Sequence, residues 1–446
     1  MDKKKKNLAA CASMILLIGV EKVSAVEPVN FAVILESPDN TPGAVTQLTL
    51  ENICPGILAG ADAALSELNL ICNAVTGVIT ATQAEIDLAI REISPKANSS
   101  TNTIREKTGN TRVSTAVTSR LSALRQATKA SSRSSYSSLY DTPTYKQLAI
   151  FIADEEGGLL SQNFSGYLNV SRKSADQIET STEIGFDSSS NSYSAGFDYR
   201  LKSSTFLGLM ADFMTTSAKL TDSQSKVDAN QLMFTAYGAH YVNRQWYVEG
   251  TLSNSQQQIE LSRQIDFTLN NINTKLIAKG ETASNQMQIS AGTGYEIPLK
   301  QGFNSLVSFG FSYASTNING YSETDAGSLN LVLDSQTITS LTTQVGTYLS
   351  KPLSTRFGVI IPQASFLWIH ETDNEAQDVA ARLQSDTSNT GFSFTTTAPD
   401  PNYFLAGIDI QFLMAHGRFG YIKYSSTLNL RDKSESAISA GFRMEF

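Results

Sequence analysis

Charge, histidine and long apolar runs are all scarce in this chain. Asp, Glu, Lys and Arg make up 17% of its 446 residues, against roughly 25% in an average soluble domain. Length does not exclude a soluble α/β enzyme, but Ser, Thr, Asn and Gln replace the Glu and Lys that such a surface carries. Past the N-terminus no apolar run reaches about 18 residues, which excludes a helical membrane protein. The histidines are His240, His370 and His416, and the cysteines Cys11, Cys54 and Cys72. Length suggests two or three domains. Composition equally permits one large β architecture, whose half-buried strands need alternation instead of apolar runs.

The first 25 residues read as a secretory signal peptide. Lys3, Lys4, Lys5 and Lys6 precede the apolar stretch 8–20, and Val23-Ser24-Ala25 offers small residues for cleavage after Ala25. Leu8-Ala9-Ala10-Cys11 has the order of a lipoprotein box, but almost nothing apolar precedes it. Cleavage leaves Cys54 and Cys72, and two cysteines in an exported chain suggest one disulfide, worth about 3 kcal/mol for a loop of that length. Two separate buried thiols are the alternative.

Charge divides the chain further. Over residues 26–100 nine acids face only Arg91 and Lys96; over residues 101–145 seven cations face only Glu106 and Asp141. The remaining residues are acidic again, so a basic segment lies between two acidic ones. The first acidic segment predicts a small, mostly helical domain. Pro55 suits a first helical turn, with Ile57, Leu58, Ala61, Leu65, Leu68 and Ile71 near helical spacing behind it. Thr82-Gln83-Ala84-Glu85 is a capping-box pattern opening a second helix that Pro95 ends. This segment has no His and no nucleophile-elbow, metal-site or phosphate-loop pattern. In the basic segment, Val113, Val117, Leu121 and Leu124 form one thin apolar stripe, and a Ser-rich linker follows at 131–138.

From residue 146 onward the pattern turns to alternation. Tyr193, Ala195, Phe197, Tyr199 and Leu201 oppose Ser194, Gly196, Asp198 and Arg200; Phe404, Ala406, Ile408, Ile410 and Phe412 oppose Gly407, Asp409 and Gln411. A soluble sandwich would put Lys, Glu and Thr on its polar face. Small polar residues opposite aromatic stripes suit a barrel with lipid outside and a hydrated lumen. Twelve strands are expected, near 163–172, 192–201, 204–217, 228–243, 245–261, 283–297, 303–314, 337–351, 356–372, 402–413, 417–428 and 435–446. Connections after even strands are tight, and most after odd strands are long and polar, which is the outer-membrane plan of short periplasmic turns and long external loops. The last strand alternates Ile438, Ala440, Phe442, Met444 and Phe446 against Arg443 and Glu445. A terminal Phe on such a strand looks like the signal read by the outer-membrane barrel-assembly machinery.

These residues resemble the autotransporter β-domain of Gram-negative bacteria. The resemblance is carried by SAGFDYRL (194–201) followed by FLGL (206–209), WYVEGTL (246–252), GYSE (320–323) with DSQ (334–336), SAGFRMEF (439–446), and SRLSALR (119–125) ahead of the barrel. It implies a twelve-stranded barrel, residues 146–446, with the helix of residues 101–145 in its pore, anchoring or translocating the segment 26–100 as a short passenger. Inward Asp198, Asp212, Glu249, Glu296 and Asp409 would make an acidic lumen, into which Arg105, Arg112, Arg120 and Arg125 would bring cations. Family passengers are usually several hundred residues of β-helical repeat, whereas residues 26–100 show no repeat period. The pore segment has no Asn-Asn pair for autocleavage, and Asn270-Asn271 reads as turn residues in an outer loop.

The implied setting is an integral outer-membrane protein, monomeric, without cofactor or nucleic-acid partner, with loops extracellular and the C-terminus periplasmic. Its partners would be outer-membrane lipid, the secretion translocon through the signal peptide, and the barrel-assembly machinery. The competing readings are a diffusion porin, which needs an open lumen, and a surface adhesin binding a host or matrix ligand through polar loops such as 373–401. A barrel hydrolase needs a His near Ser or Asp at the rim, and His370 beside Glu371 is the candidate for it.

Overall fold

The computed structural model describes residues 31–60, 66–95 and 164–445, apart from 181, 203, 222–223, 374, 399 and 415–416. The signal-peptide residues, the basic segment with Arg105, Arg112, Arg120 and Arg125, the Ser-rich linker, His416 and Phe446 lie outside the described residues.

Alternation closes into a barrel of twelve long antiparallel strands. They are β2 (Phe164–Gln177), β3 (Phe186–Lys202), β4 (Thr205–Leu220), β5 (Lys226–Tyr241), β6 (Trp246–Leu269), β7 (Ile272–Pro298), β8 (Asn304–Ile318), β11 (Gln336–Ser350), β13 (Gly358–Glu371), β16 (Asn402–Met414), β17 (Arg418–Leu428) and β18 (Lys433–Glu445). Each long strand pairs with its neighbours in sequence order, β11 with β13 across a short β12 (Leu353–Thr355). The last strand closes on the first, Ser439 opposite Ser171 and Glu445 opposite Ser165. Closure leaves none of the twelve with an unpaired edge, as a wall in lipid requires.

The wall has the two faces that alternation predicts. Leu168, Tyr193, Phe197, Phe213, Phe234, Leu252, Phe309, Phe366, Ile408, Ile438 and Phe442 are exposed on the outside, while Ser190, Ser192, Ser194, Asp198, Asp212 and Asp409 are buried within. Trp246 and Trp368 stand near opposite ends of the outer belt. Their indole N–H groups donate to Thr293 Oγ1 (2.7 Å) and Asn402 Oδ1 (3.1 Å). An apolar ring with a satisfied polar edge is the arrangement of an interfacial girdle.

The two ends differ. At the turn end, where β2 begins and β18 finishes, lumen-facing Tyr167, Tyr237, Tyr247 and Tyr421 lie against Gly196, Gly208, Gly294 and Gly441 of adjoining strands, too close for any Cβ. At the loop end β6 and β7 continue past the belt, with 24 and 27 residues against 11 to 17 in the other ten. The excess of about ten residues is on the order of 30 Å of extended chain. A two-residue turn closes them, Asn270 at φ 48° and Asn271 at φ 62°, the left-handed pair that suits a tight hairpin. The expectation of a loop over 262–282 is therefore corrected: Leu261, Ile265, Phe267 and Leu269 continue the inward alternation. Buried Arg263 had interrupted it.

The loops after β8 and β13 fold into a second sheet. It runs β1 (Val33–Leu35), β15 (Thr390–Thr395), β14 (Asp378–Leu383), β10 (Leu331–Leu333) and β9 (Tyr321–Ser322). β1 belongs to the N-terminal segment and pairs in parallel with β15, Ile34 opposite Gly391. Three helices follow: α1 (Pro42–Gly60), α2 (Ser66–Val75) and α3 (Gln83–Ile93). Pro55 corrects its expected place, since α1 begins at Pro42 and carries Pro55 in its interior. Pro55 is exposed there, so water can satisfy the carbonyl that its missing N–H leaves. Pro42 takes the first-turn position instead, with Thr41 Oγ1 accepting from Ala44 N at 3.3 Å. The capping box of α3 is formed: Thr82 Oγ1 accepts from Glu85 N and Glu85 Oε2 from Thr82 N, at 3.3 and 2.7 Å.

Candidate functional site

Two interiors bear on function: the lumen, and the core at the loop end. In the lumen, Asp198 accepts from Ser165 Oγ at 2.7 Å and Asp212 from Ser194 Oγ at 2.6 Å and from Ser192. Asp409 accepts from Gln363 Nε2 and Gln411 Nε2 at 3.0 and 2.9 Å. Glu249 and Glu296 alternate with outward Val248, Tyr295 and Ile297 and are half-buried. All five acids are thus on the inward face. The lumen also holds cations, Arg443 among them as the alternation of the last strand predicts. Lys173 and Lys433 flank Glu435 at 2.8 and 2.7 Å, Lys423 stands opposite Asp409, and Arg443 donates to Ser165 Oγ at 3.1 Å. Between the apolar clusters at its two ends, the interior is therefore a mixed-charge lining held by side-chain hydrogen bonds. Serine supplies much of it, a short donor that fits a crowded wall.

The loop-end core is apolar. Val45, Leu50, Leu68, Ile71 and Ile93 of the three helices pack with Ile265, Phe267 and Leu269 of the tall hairpin and Leu329, Leu331, Leu333, Val379, Leu383, Phe392 and Phe394 of the loops. Cys54 and Cys72, both fully buried in this cluster, form a disulfide linking α1 to α2. Arg263 stands at its margin. Its Nε and Nη2 donate to Glu323 at 3.0 and 2.6 Å, Nη2 also to Leu329 O and Nη1 to Glu92 O, both at 3.1 Å. Glu323 also accepts from Leu331 N at 2.9 Å. A buried ion pair is tolerable when its remaining hydrogen-bonding capacity is filled in this way. Burial, and then neighbouring Glu323, push the Tyr321 phenol well above its ordinary value. Partial burial raises the Glu67 carboxyl, but hydrogen bonds from its own backbone N–H and from Ser328 outweigh it and hold the group below its usual value.

The arrangement offers little to a hydrolase. His370 faces outward with Nδ1 3.0 Å from Asn402 Oδ1, while Glu371 faces inward and accepts from Ser340 Oγ and Leu341 N at 3.0 and 2.9 Å. The two stand on opposite faces of one strand. His240 meets Thr205 Oγ1 at 3.0 Å on the outer wall. Among the described residues no group of His, Cys, Asp and Glu is placed to hold a metal ion. At the C-terminus Ile438 and Phe442 point outward and Met444 is half-buried.

The family model for the autotransporter beta-domain matches residues 166–425, more than half of the chain. The chain belongs to the autotransporter β-domain family. Among solved structures, the translocator domain of the autotransporter NalP from Neisseria meningitidis superposes with a TM-score of 0.52 at 15% identity, over 68% of this chain and 94% of that one. The beta domain of the Bordetella autotransporter BrkA covers 64% of this chain and 100% of its own at 11% identity, with a TM-score of 0.45. The transport unit of AIDA-I from Escherichia coli covers 69% and 100% at 11% identity, with a TM-score of 0.42. No curated protein sequence matches. This autotransporter β-domain is an integral outer-membrane barrel of the translocator type, and its apolar belt is what that membrane requires.

The sequence placed Cys54, Ile57, Leu68, Ile71 and Cys72 in a small helical domain, and they are in this core; sequence reasoning missed Arg263, Glu323 and the half of the core that β6 and the loops supply. Two signals were available: the inward alternation of residues 265, 267 and 269, and the apolar run Leu329-Asn330-Leu331-Val332-Leu333 inside a loop expected to be polar.

Proposed function

We propose that this barrel carries its own N-terminal segment, residues 26–100, across the outer membrane and holds it at the surface, with residues 101–145 in the lumen. The observation that supports the reading is the position of two chain ends. Ile93 is buried in the loop-end core, whereas Phe164 begins β2 at the turn end. The intervening chain has to run from one end of the barrel to the other. A Ser-, Thr- and Arg-rich segment pays heavily for a path through lipid, and the hydrogen-bonding lumen is the path left.

In this reading the loops are extracellular, the C-terminus is periplasmic and the protein is a monomer without catalytic activity. The signal peptide engages the secretion translocon, and the outward stripe ending at Phe446 engages the barrel-assembly machinery. Arg105, Arg112, Arg120 and Arg125 meet the lumenal acids in a confined, low-dielectric space, where pairing is stronger than at a surface. Replacing all four with Glu is expected to raise single-channel conductance in planar bilayers. Unchanged conductance counts against a lumenal segment, and a wide-open wild-type pore would favour a diffusion porin.

A further inference from the structure

We infer that the N-terminal segment is a passenger that cannot complete its fold alone: it folds on the loops of its own barrel and stays there as a fixed surface module. The inference rests on the proposed surface placement and adds what holds the segment in place.

The first observation is a divided core. α1, α2 and α3 offer one apolar layer, and the facing layer is supplied by β7's Ala278, β6's Ile265, Phe267 and Leu269, and the β10, β14 and β15 strands. Leu50 and Leu68 of the helices and Ile265, Leu269, Val379 and Phe394 of the facing layer are fully buried in one shared cluster. Separated, each half would present a broad apolar face to water, which is unfavourable in proportion to area.

The second is that the polar fastenings also cross the divide. Arg263 of β6 donates to the carbonyl of Glu92 at the end of α3. Ser328 of the β8–β11 loop accepts from Leu68 N at 3.0 Å and donates to Glu67 Oε2 at 2.9 Å, occupying the first turn of α2. Asn40 Nδ2 donates to Thr395 Oγ1. β1 has its ladder partner in β15 and, among the described residues, none within its own segment. Strand pairing, helix capping and apolar packing are each completed by the barrel's loops, so folding of the segment follows its arrival at the loop end.

The test uses the full-length protein in intact cells, antiserum against residues 26–95, and proteinase K. Phe392→Asp and, separately, Arg263→Met change only the barrel's side of the junction; heat-modifiable migration in SDS gels reports whether each barrel has closed. Wild-type cells are expected to bind the antiserum and to keep the segment intact. In closed-barrel variants the segment is expected to remain on the surface but to be digested at least about tenfold faster, since cleavage follows the population of the open form. Equal resistance in wild type and both variants would mean that the segment folds independently and would overturn the inference. Antiserum binding only after permeabilisation would instead overturn the surface placement, and the inference with it.

Discussion

The middle of the lumen and the loop-end core are both buried, yet they are built from opposite materials. Between an apolar cluster about Phe206, Met210 and Met233 and another about Phe186, Leu220 and Ile259, the lumen is lined by Ser, Asp, Lys and Gln tied to one another by side-chain hydrogen bonds. The loop-end core is Leu, Ile, Val and Phe closed over a disulfide and one ion pair. The difference teaches what each interior is for. A polar lining can exchange its partners with water or with a passing chain at little net cost, because hydrogen bonds given up are remade. An apolar core has no such substitute and commits the two surfaces that form it.

The comparison can be broken most severely at Arg263. Arg263→Met leaves Glu323 buried without its cation, and loosening of the junction by about 3–5 kcal/mol is expected. Hydrogen exchange in β10 and α3 measures it. Adding Glu323→Leu should recover much of the loss, because the pair is then replaced by apolar packing; no recovery would mean that the hydrogen bonds to Glu92 and Leu329 matter more than the charge. A middling effect is expected at the opposite end. Gly208→Ala forces the Tyr237 ring off its strand, an overpacking cost of about 1–3 kcal/mol. It should lower the temperature of barrel melting in SDS while leaving exchange in α3 unchanged. If α3 loosened as well, the two interiors would not be independent.

The smallest effect concerns pH. Glu67 is held below its ordinary value in the folded protein, so its contribution is complete above the unfolded pKa of about 4.3. It is lost as pH falls through the lowered value. Protection of the first-turn amides of α2, taken relative to their intrinsic exchange rate at each pH, should fall as the pH drops below about 4.3, and less so in Ser328→Ala, where a hydrogen bond that lowers the pKa is already gone.

Much of the wall was legible because lipid and lumen impose a period of two on every strand. The twelve strands, their even count and the inward acids follow from it. The N-terminal helices were partly legible, α3 through its capping box. The junction was not, for a physical reason. β1 and β15 are three residues long where they pair and lie some 350 positions apart, so neither carries enough alternation to be read. The strand expected over 245–261 stops two residues short of Arg263, and a lone cation in an apolar stripe normally marks solvent. Here its charge is answered by Glu323, which is remote in sequence. Pro55 misled in the same way, by suggesting a local start for a helix that Thr41 and Pro42 begin.

The uneven wall gives the molecule a profile. β6 and β7 rise well above the low flank of β16, β17 and β18, and the helices lean on the tall side. If the loops face outward, as proposed, an antibody or phage tail approaching along the membrane normal meets the Asn270-Asn271 turn and the helical shoulder first. The short loop at 429–432 lies in their lee. Neutral Asn, Thr and Ile at the hairpin tip, and not the charged stretches lower down, would be the first chemistry such a visitor reads.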